Sequence, residues 1–314
     1  MMDTALSHYL ARFGTLNRNV RLGTAAPHKS ILLLAVLAEI ERGSVTENQI
    51  VLTAELVADF RAYWRVLVTD GTWQERIANP FRFMLQEKFW QLIKNGQEVN
   101  GPKIGNTPSI KLLNELVDYA QLAPDLWLLL QDKVALQTLR EHLLQVCFGT
   151  REAQIADQVP ADPLSYELEK LKAEAHGRFR PRKIREDQSD GYFVRHSLFP
   201  RCIRSLYDDA CAVCRLSVTI PAKASIVDAV HIMPFGIFHN DDPRNGMTLC
   251  KNHHWVFDIG GISVDPDYKI RVSKHLTALP LFVPPNTRLL LPSDAAYAPA
   301  QEALSWHRDN IFLK

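Results

Sequence analysis

The chain has no apolar run long enough to cross a bilayer. The longest, from Ile31 to Leu37 or slightly beyond, falls far short of the roughly 20 residues a membrane helix needs. The first residues, MMDTALSHYL, lack the basic region and apolar stretch of a secretory signal, so a cytoplasmic protein is expected. Cysteine is scarce and odd in number, five in 314 residues, and three of the five stand in metal-ligand spacing, which argues against a disulfide framework and for a reducing compartment. Cys147 and Cys202 then read as buried thiols. Charge of one sign is also missing: the net value is +1, so any polyanionic partner must be held by a local basic patch.

What is present begins with helices. The length allows two domains with separate cores. Up to Gly149 the pattern is mainly helical: SILLLAVLAEIERG (Ser30 to Gly43) is apolar nearly all round before a glycine stop, and ELVADFRAYWRVLV (Glu55 to Val68) puts Leu56, Phe60, Tyr63 and Leu67 on one face. Pro27 suits a first helical turn, with His28 and Lys29 beside it. A cation there opposes the helix dipole, so the pair either accompanies the helix end in holding a phosphate or is simply solvated. In RIANPFRFMLQEKFWQLI, Asn79-Pro80 reads as a turn, and Asn79, Phe81 and Arg82 as an edge that is partly apolar and partly basic. SIKLLNELVDYA and DLWLLLQDKVALQTLREHLLQVCF complete the helical half.

From Thr150 to about Asp190 the composition turns polar and charged. The octapeptide Arg178 to Arg185 carries five basic residues, among them Arg178, Arg180, Arg182 and Lys183. It reads either as a phosphate-contacting segment or as a solvated linker.

The densest chemistry lies between Cys211 and Gly261, where three cysteines and four histidines occur. Cys211-Ala-Val-Cys214 is followed after 35 residues by Cys250-Lys-Asn-His253. Two pairs, each with a two-residue gap, can converge on one tetrahedral ion, so structural Zn²⁺ on Cys211, Cys214, Cys250 and His253 is expected. Between the pairs, Ser225 to Ile232 and Met247 to Leu249 read as a hairpin, and CKNHHWVFDIGG as one helix ended by glycines. Adjacent helical residues point about 100° apart. With His253 on the zinc, His254 turns toward the hairpin, where it is expected to meet His231 and Asp228. A histidine to activate water, with a carboxylate and a second histidine to hold a hard cation, are components of metal-assisted phosphodiester hydrolysis.

The pattern C-x-x-C, D-A-V-H-I-x-P, R-N-G-x-x-L-C-x-x-H-H-x-x-F-D-x-G resembles the HNH endonuclease family in its zinc-stabilised, restriction-type form, and FPRCIRSLYDDACAVC and LSWHRDNIFLK resemble its flanks. The resemblance covers about Phe199 to Lys314 and implies a ββα-metal fold. It implies that His231 is the general base, that Asn245 ties the loop by backbone hydrogen bonds, and that His254 holds a catalytic Mg²⁺ or Mn²⁺. Asp228 matches an acidic position three before the base and is implied as the second cation ligand; many members put that acid directly before the histidine, where Val230 stands. A strict strand sends Asp228 and His231 to opposite faces, so a bulge or twist is expected. Asp258, one turn beyond His254, either orients it or caps the helix, and Arg244 is expected to touch a phosphate.

APHKSILLLAVLAEIERG, LTAELVADFRAYWRVLV and NPFRFMLQEKFWQLI are similar to the N-terminal region of restriction-like HNH proteins, some of them modification-dependent nucleases that read phosphorothioated DNA. That likeness implies His28, Lys29, Pro80 and Arg82 as DNA-facing residues. Asn79 stands where those readers have tyrosine, and Phe83 where a small residue is frequent.

The expectation is therefore an α+β protein: a mostly helical DNA-recognition domain over residues 1–149, a polar and basic linker over 150–190, and an HNH nuclease domain over 191–314. Its expected partner is double-stranded DNA, modified or plain. One site per chain cutting two strands implies a homodimer. The readings from other classes are a non-catalytic zinc-containing DNA-binding protein and an HNH nuclease for RNA or branched DNA.

Overall fold

The computed structural model describes residues 2–69, 71–149, 156–174, 179, 189–220, 224–276 and 287–314. They form two compact units, Met1–Tyr166 with Ser189–Val194, and Glu167–Gln188 with Arg195–Lys314. The basic residues Arg178, Arg180, Arg182 and Lys183 lie outside the described residues.

The first unit is built around the helix His28–Arg42, whose side chains from Lys29 to Glu39 are all buried. A helix apolar on every side must be covered on every side. Ala54–Leu67, Lys133–Phe148 and Ala78–Phe83 do this. The central helix stops at Gly43, which adopts φ 75° and donates its N–H back to the carbonyls of Glu39 and Ile40, a conformation glycine takes without strain. Ala54–Leu67 starts at Thr53, whose hydroxyl accepts the Leu56 N–H at 3.2 Å. Asn79 and Pro80 fall inside the short helix Ala78–Phe83 and not in a turn, because a proline in the first helical turn gives up an N–H that has no partner there anyway. A three-stranded antiparallel sheet, with Trp90–Lys94 between Gln97–Glu98 and Tyr119–Leu122, joins a unit expected to be mostly helical. Its middle strand is pinned at its start, where the buried Trp90 donates its indole N–H to the Phe81 carbonyl at 3.0 Å.

The second unit gathers around a two-stranded antiparallel hairpin, Val227–His231 with Gly246–Cys250, followed at once by the helix Lys251–Asp258. The order strand, loop, strand, helix is the ββα finger. The helix Ser189–Leu206 lays Phe199 and Ile203 against it in a core with Val227, Val230, Met247 and Phe257. This approach is so close that a Cβ on Gly246 would stand 2.6 Å from Ile203 and 2.7 Å from Phe199. A second hairpin, Ile262–Val264 with Ile270–Val272, and the helix Gln301–Asn310 close the unit. His307 locks that last helix, meeting the Ser263 hydroxyl at 2.9 Å and the Phe257 carbonyl at 3.1 Å. No helix among the described residues is long and apolar enough to cross a membrane.

Candidate functional site

Three places in the structure concentrate chemistry: a four-ligand cluster, the exposed edge of the ββα finger, and a cavity in the first unit.

The cluster is made by Cys211 and Cys214 from the turn after the long helix, Cys250 at the end of the second strand, and His253 in the first turn of the finger helix. Their ligand atoms all lie within 4.8 Å of one another. Cys214 Sγ to Cys250 Sγ is 3.9 Å and Cys211 Sγ to His253 Nδ1 is 3.6 Å. Zinc–sulfur and zinc–nitrogen bonds of about 2.3 and 2.0 Å place the corners of a tetrahedron roughly 3.5–3.8 Å apart, so this donor set fits such an ion. The turn is held by backbone bonds from Cys211 N to Leu216 O at 2.9 Å and from Ala212 N to Thr248 O at 2.7 Å, which fasten the first pair of ligands to the strand bearing the third.

On the next residue, His254 turns away from the cluster. Its Nδ1 lies 3.0 Å from Asp228 Oδ2 and its Nε2 lies 3.2 Å from Asp258 Oδ2. Lys251 donates from its ammonium to the other oxygen of Asp228. Burial disfavours the Asp228 anion, but the bonds from Lys251 and His254 outweigh it and hold its carboxyl below the usual carboxylate range. Burial raises Asp258, with His254 pulling the other way. Asp228 and His254 thus form a carboxylate–imidazole pair, each about one third exposed. Its chemistry suits a hard divalent cation, and Lys251 already demonstrates that a positive group can reach it.

His231 stands elsewhere. The ladder runs unbroken from Val227 opposite Cys250 to His231 opposite Gly246, so there is no bulge, and the alternation of a regular strand keeps Asp228 and His231 on opposite faces. The expected meeting of His231 with Asp228 and His254 is corrected accordingly: His254 joins Asp228, while His231 Nε2 lies 3.0 Å from Asp241 Oδ1. The His231 ring stacks on Phe199, with centroids 3.8 Å apart and planes 6° from parallel. Asn245, fully buried, bonds three times across the intervening loop: its amide donates to Met233 O at 3.1 Å and Asn240 O at 3.0 Å, and its carbonyl accepts Met233 N at 2.9 Å.

Residues 211–265 match the HNH endonuclease family. No curated protein matches the chain. Among solved structures it is similar to a modification-dependent TagI restriction endonuclease, at 22% identity over 38% of this chain and 39% of that one, with a TM-score of 0.29; the chain therefore spans about two fifths of that protein's length. The HNH segment is C-terminal, coincides with the ββα finger, and includes the quartet that could hold a metal.

Within the HNH segment, Arg244 is already engaged. Its guanidinium forks onto Asp242, Nε to Oδ1 at 3.0 Å and Nη2 to Oδ2 at 2.7 Å, and its carbonyl accepts Ala300 N at 2.9 Å, tying the loop to the last helix.

In the first unit a cavity of about 810 Å³ is lined by His28, Lys29, Asn79, Pro80 and Phe83. Arg82 does not line it; its Nε donates to Gly105 O at 2.9 Å and its guanidinium covers the Phe83 ring. Lys29 is 7% exposed and its ammonium is paired with Glu87. His28 packs against Trp64 and meets Gln74 O at 2.8 Å, and burial lowers it below the usual histidine range. Among the described residues, the cations that remain for a ligand are Arg18, Arg21 and Arg76, beside the ring of Trp73. No periodicity marks them: Arg18 and Arg76 lie in separate loops and Arg21 in the two-stranded ribbon Val20–Arg21 with Thr24–Ala25, so they look like ordinary surface.

Proposed function

We propose that this protein is a DNA endonuclease of restriction type. In this reading residues 1–149 recognise DNA, 150–190 form a basic linker and 191–314 cut. The observation that carries the reading is the HNH family match falling on a ββα finger that bears Asp228, His231, Asn245 and His254.

Cys211, Cys214, Cys250 and His253 hold Zn²⁺, which ties the turn before the hairpin to the start of the finger helix beside the core. Asp228 and His254 hold Mg²⁺ or Mn²⁺, and that cation, when bound, supplies polarisation of the scissile phosphate and charge stabilisation at the departing oxygen. His231 takes a proton from the attacking water, whose oxygen bonds to phosphorus in line as the bond to the 3′ oxygen breaks, leaving a 5′ phosphate. Asn245 keeps the loop between the strands in one conformation. Asp258 orients His254 from one helical turn away.

The cavity of the first unit receives the DNA backbone. Arg18, Arg21 and Arg76 supply positive charge, Trp73, Pro80 and Phe83 an apolar wall, and His28 stiffens the floor. A cytoplasmic enzyme acting on foreign or modified DNA, as a homodimer that brings one site to each strand, is the role consistent with these parts.

The test is digestion of matched plasmids that are unmodified, methylated, hydroxymethylated or phosphorothioated, with Mg²⁺ or Mn²⁺, beside His231→Ala. Cutting by the natural chain alone, with 5′ phosphates at the ends, is expected. Absence of cutting on every plasmid, and on RNA and branched DNA, would leave the chain a zinc-containing DNA-binding protein.

A further inference from the structure

Asp241 is the least explained polar group in the second unit. Its side chain is 1% exposed. Its Oδ1 lies 3.0 Å from His231 Nε2, and its Oδ2 is shielded from solvent without a hydrogen-bond partner among the described residues. A buried carboxylate with one oxygen unsatisfied is costly.

The loop nevertheless holds Asp241 in place. Asn245 Nδ2 grips the carbonyl of Asn240 at 3.0 Å, and Asn240 Oδ1 accepts the N–H of Asp242 at 3.1 Å, so Asp241 is bracketed on both sides. The neighbouring carboxylate, Asp242, is consumed by Arg244, which leaves Asp241 facing His231. On the other side Phe199 clamps the imidazole flat.

We propose that Asp241 is the positioning residue for His231. The inference rests on the reading of His231 as the general base. An ionised carboxylate accepts hydrogen bonds and donates none, so Nε2 of His231 carries the ring proton and Nδ1 keeps the lone pair. That nitrogen takes the proton from water as the new oxygen–phosphorus bond forms and the bond to the 3′ oxygen breaks; the 3′ oxygen takes its proton from solvent. The charge the ring gains lies against Asp241 in surroundings of low dielectric, where it is stabilised most strongly. Asn245 then acts on the chemistry at one remove, by fixing the backbone that aims Asp241.

The experiment uses the full chain with Asp241→Asn, Asp241→Ala, His231→Ala and the double substitution Asp241→Ala with His231→Ala. Asp241→Ala is expected to lower kcat on the order of a hundredfold with KM changed by less than about twofold, since Asp241 is buried away from substrate. Asp241→Asn, which keeps the acceptor and loses the charge, should fall between it and the natural chain. In the His231→Ala background the Asp241 substitution should cost nothing further. Imidazole ¹⁵N spectra should show His231 as a single Nε2–H tautomer in the natural chain and as a tautomer mixture in Asp241→Ala. The idea fails if kcat is unchanged in both Asp241 variants, if the Asp241 loss persists in full without His231, or if the natural chain shows His231 protonated on Nδ1. Should the natural chain cut nothing, the nuclease reading falls while the spectra still decide the pairing.

Discussion

The imidazole of His231 lies flat on the ring of Phe199, centroids 3.8 Å apart and planes 6° from parallel. Phe199 belongs to the helix Ser189–Leu206, so an element remote in sequence from the finger sets the attitude of the His231 ring. Phe199→Leu keeps the apolar volume and removes the flat surface. Stability should drop by about 1 kcal/mol, whereas, with His231 as the proposed base, kcat should fall roughly tenfold because the imidazole is no longer held in one orientation. Melting curves and single-turnover cleavage separate the two effects; a kcat loss no larger than the loss of folded protein would deny the ring an orienting role.

Lys251 occupies Asp228 with an exposed ammonium. A cation binding there must displace it. Lys251→Met should therefore lower the Mg²⁺ or Mn²⁺ concentration giving half-maximal cleavage, by a factor of about three, the modest size set by solvent screening of an exposed pair. A requirement for more metal in the variant would contradict this competition.

With zinc on Cys211, Cys214, Cys250 and His253 as proposed, its removal should be felt as loss of fold. The purified chain is expected to carry about one zinc per molecule, and Cys250→Ser, or prolonged chelation, should abolish the cooperative melting of the second unit. Elemental analysis beside calorimetry checks it, and an unchanged transition in metal-free protein would remove the zinc from the account of stability.

Arg18, Arg21 and Arg76 line the cavity of the first unit. Each alanine substitution should weaken DNA binding and reduce the slope of log affinity against log salt by roughly one. Lys29→Ala should behave differently. It leaves Glu87, a side chain 7% exposed, with the Asn17 N–H but without its cation, at a cost of about 3 kcal/mol in stability. Binding isotherms over a salt series and melting curves distinguish these outcomes.

Burial pushes His307 down to about 4 from an ordinary 6.5, with its bond to the Phe257 carbonyl opposing the shift. Below about 6.5 the unfolded chain takes a proton that the folded chain refuses. The contribution of this residue is therefore complete above that pH and is lost as pH falls toward 4, on the order of 3 kcal/mol in all. His307→Gln, which cannot titrate, should narrow the difference between melting temperatures at pH 7.5 and 5. An equal difference in both proteins would assign the acid sensitivity to other groups.

Much of the second unit was readable because its signals are local. Two-residue gaps oblige Cys211 with Cys214, and Cys250 with His253, to face one point, and a helical step of about 100° turns His254 away from its neighbour. The turn residues of the intervening loop were equally visible, but acids in such a loop look alike. Asp241 and Asp242 differ only in what folds over them, one covered by the His231 site and the other paired with Arg244. The sheet of the first unit leaves no mark in the sequence, since its strands are two to five residues long, too short for alternation to stand out.

Sequence by itself determined the order of elements in the finger, the four ligands of the cluster and the central helix His28–Arg42, because each depends on spacing along the chain or on an apolar surface that must be covered. Tertiary structure decided which charges are spoken for. Lys29, Arg82 and Arg244 each find a partner within their own unit, while Arg18, Arg21 and Arg76 are left at the cavity and Asp241 is brought to His231. The physical reason is that a charged side chain reaches several ångströms in any direction, so its partner is set by what packing brings within that reach and not by its place in the chain.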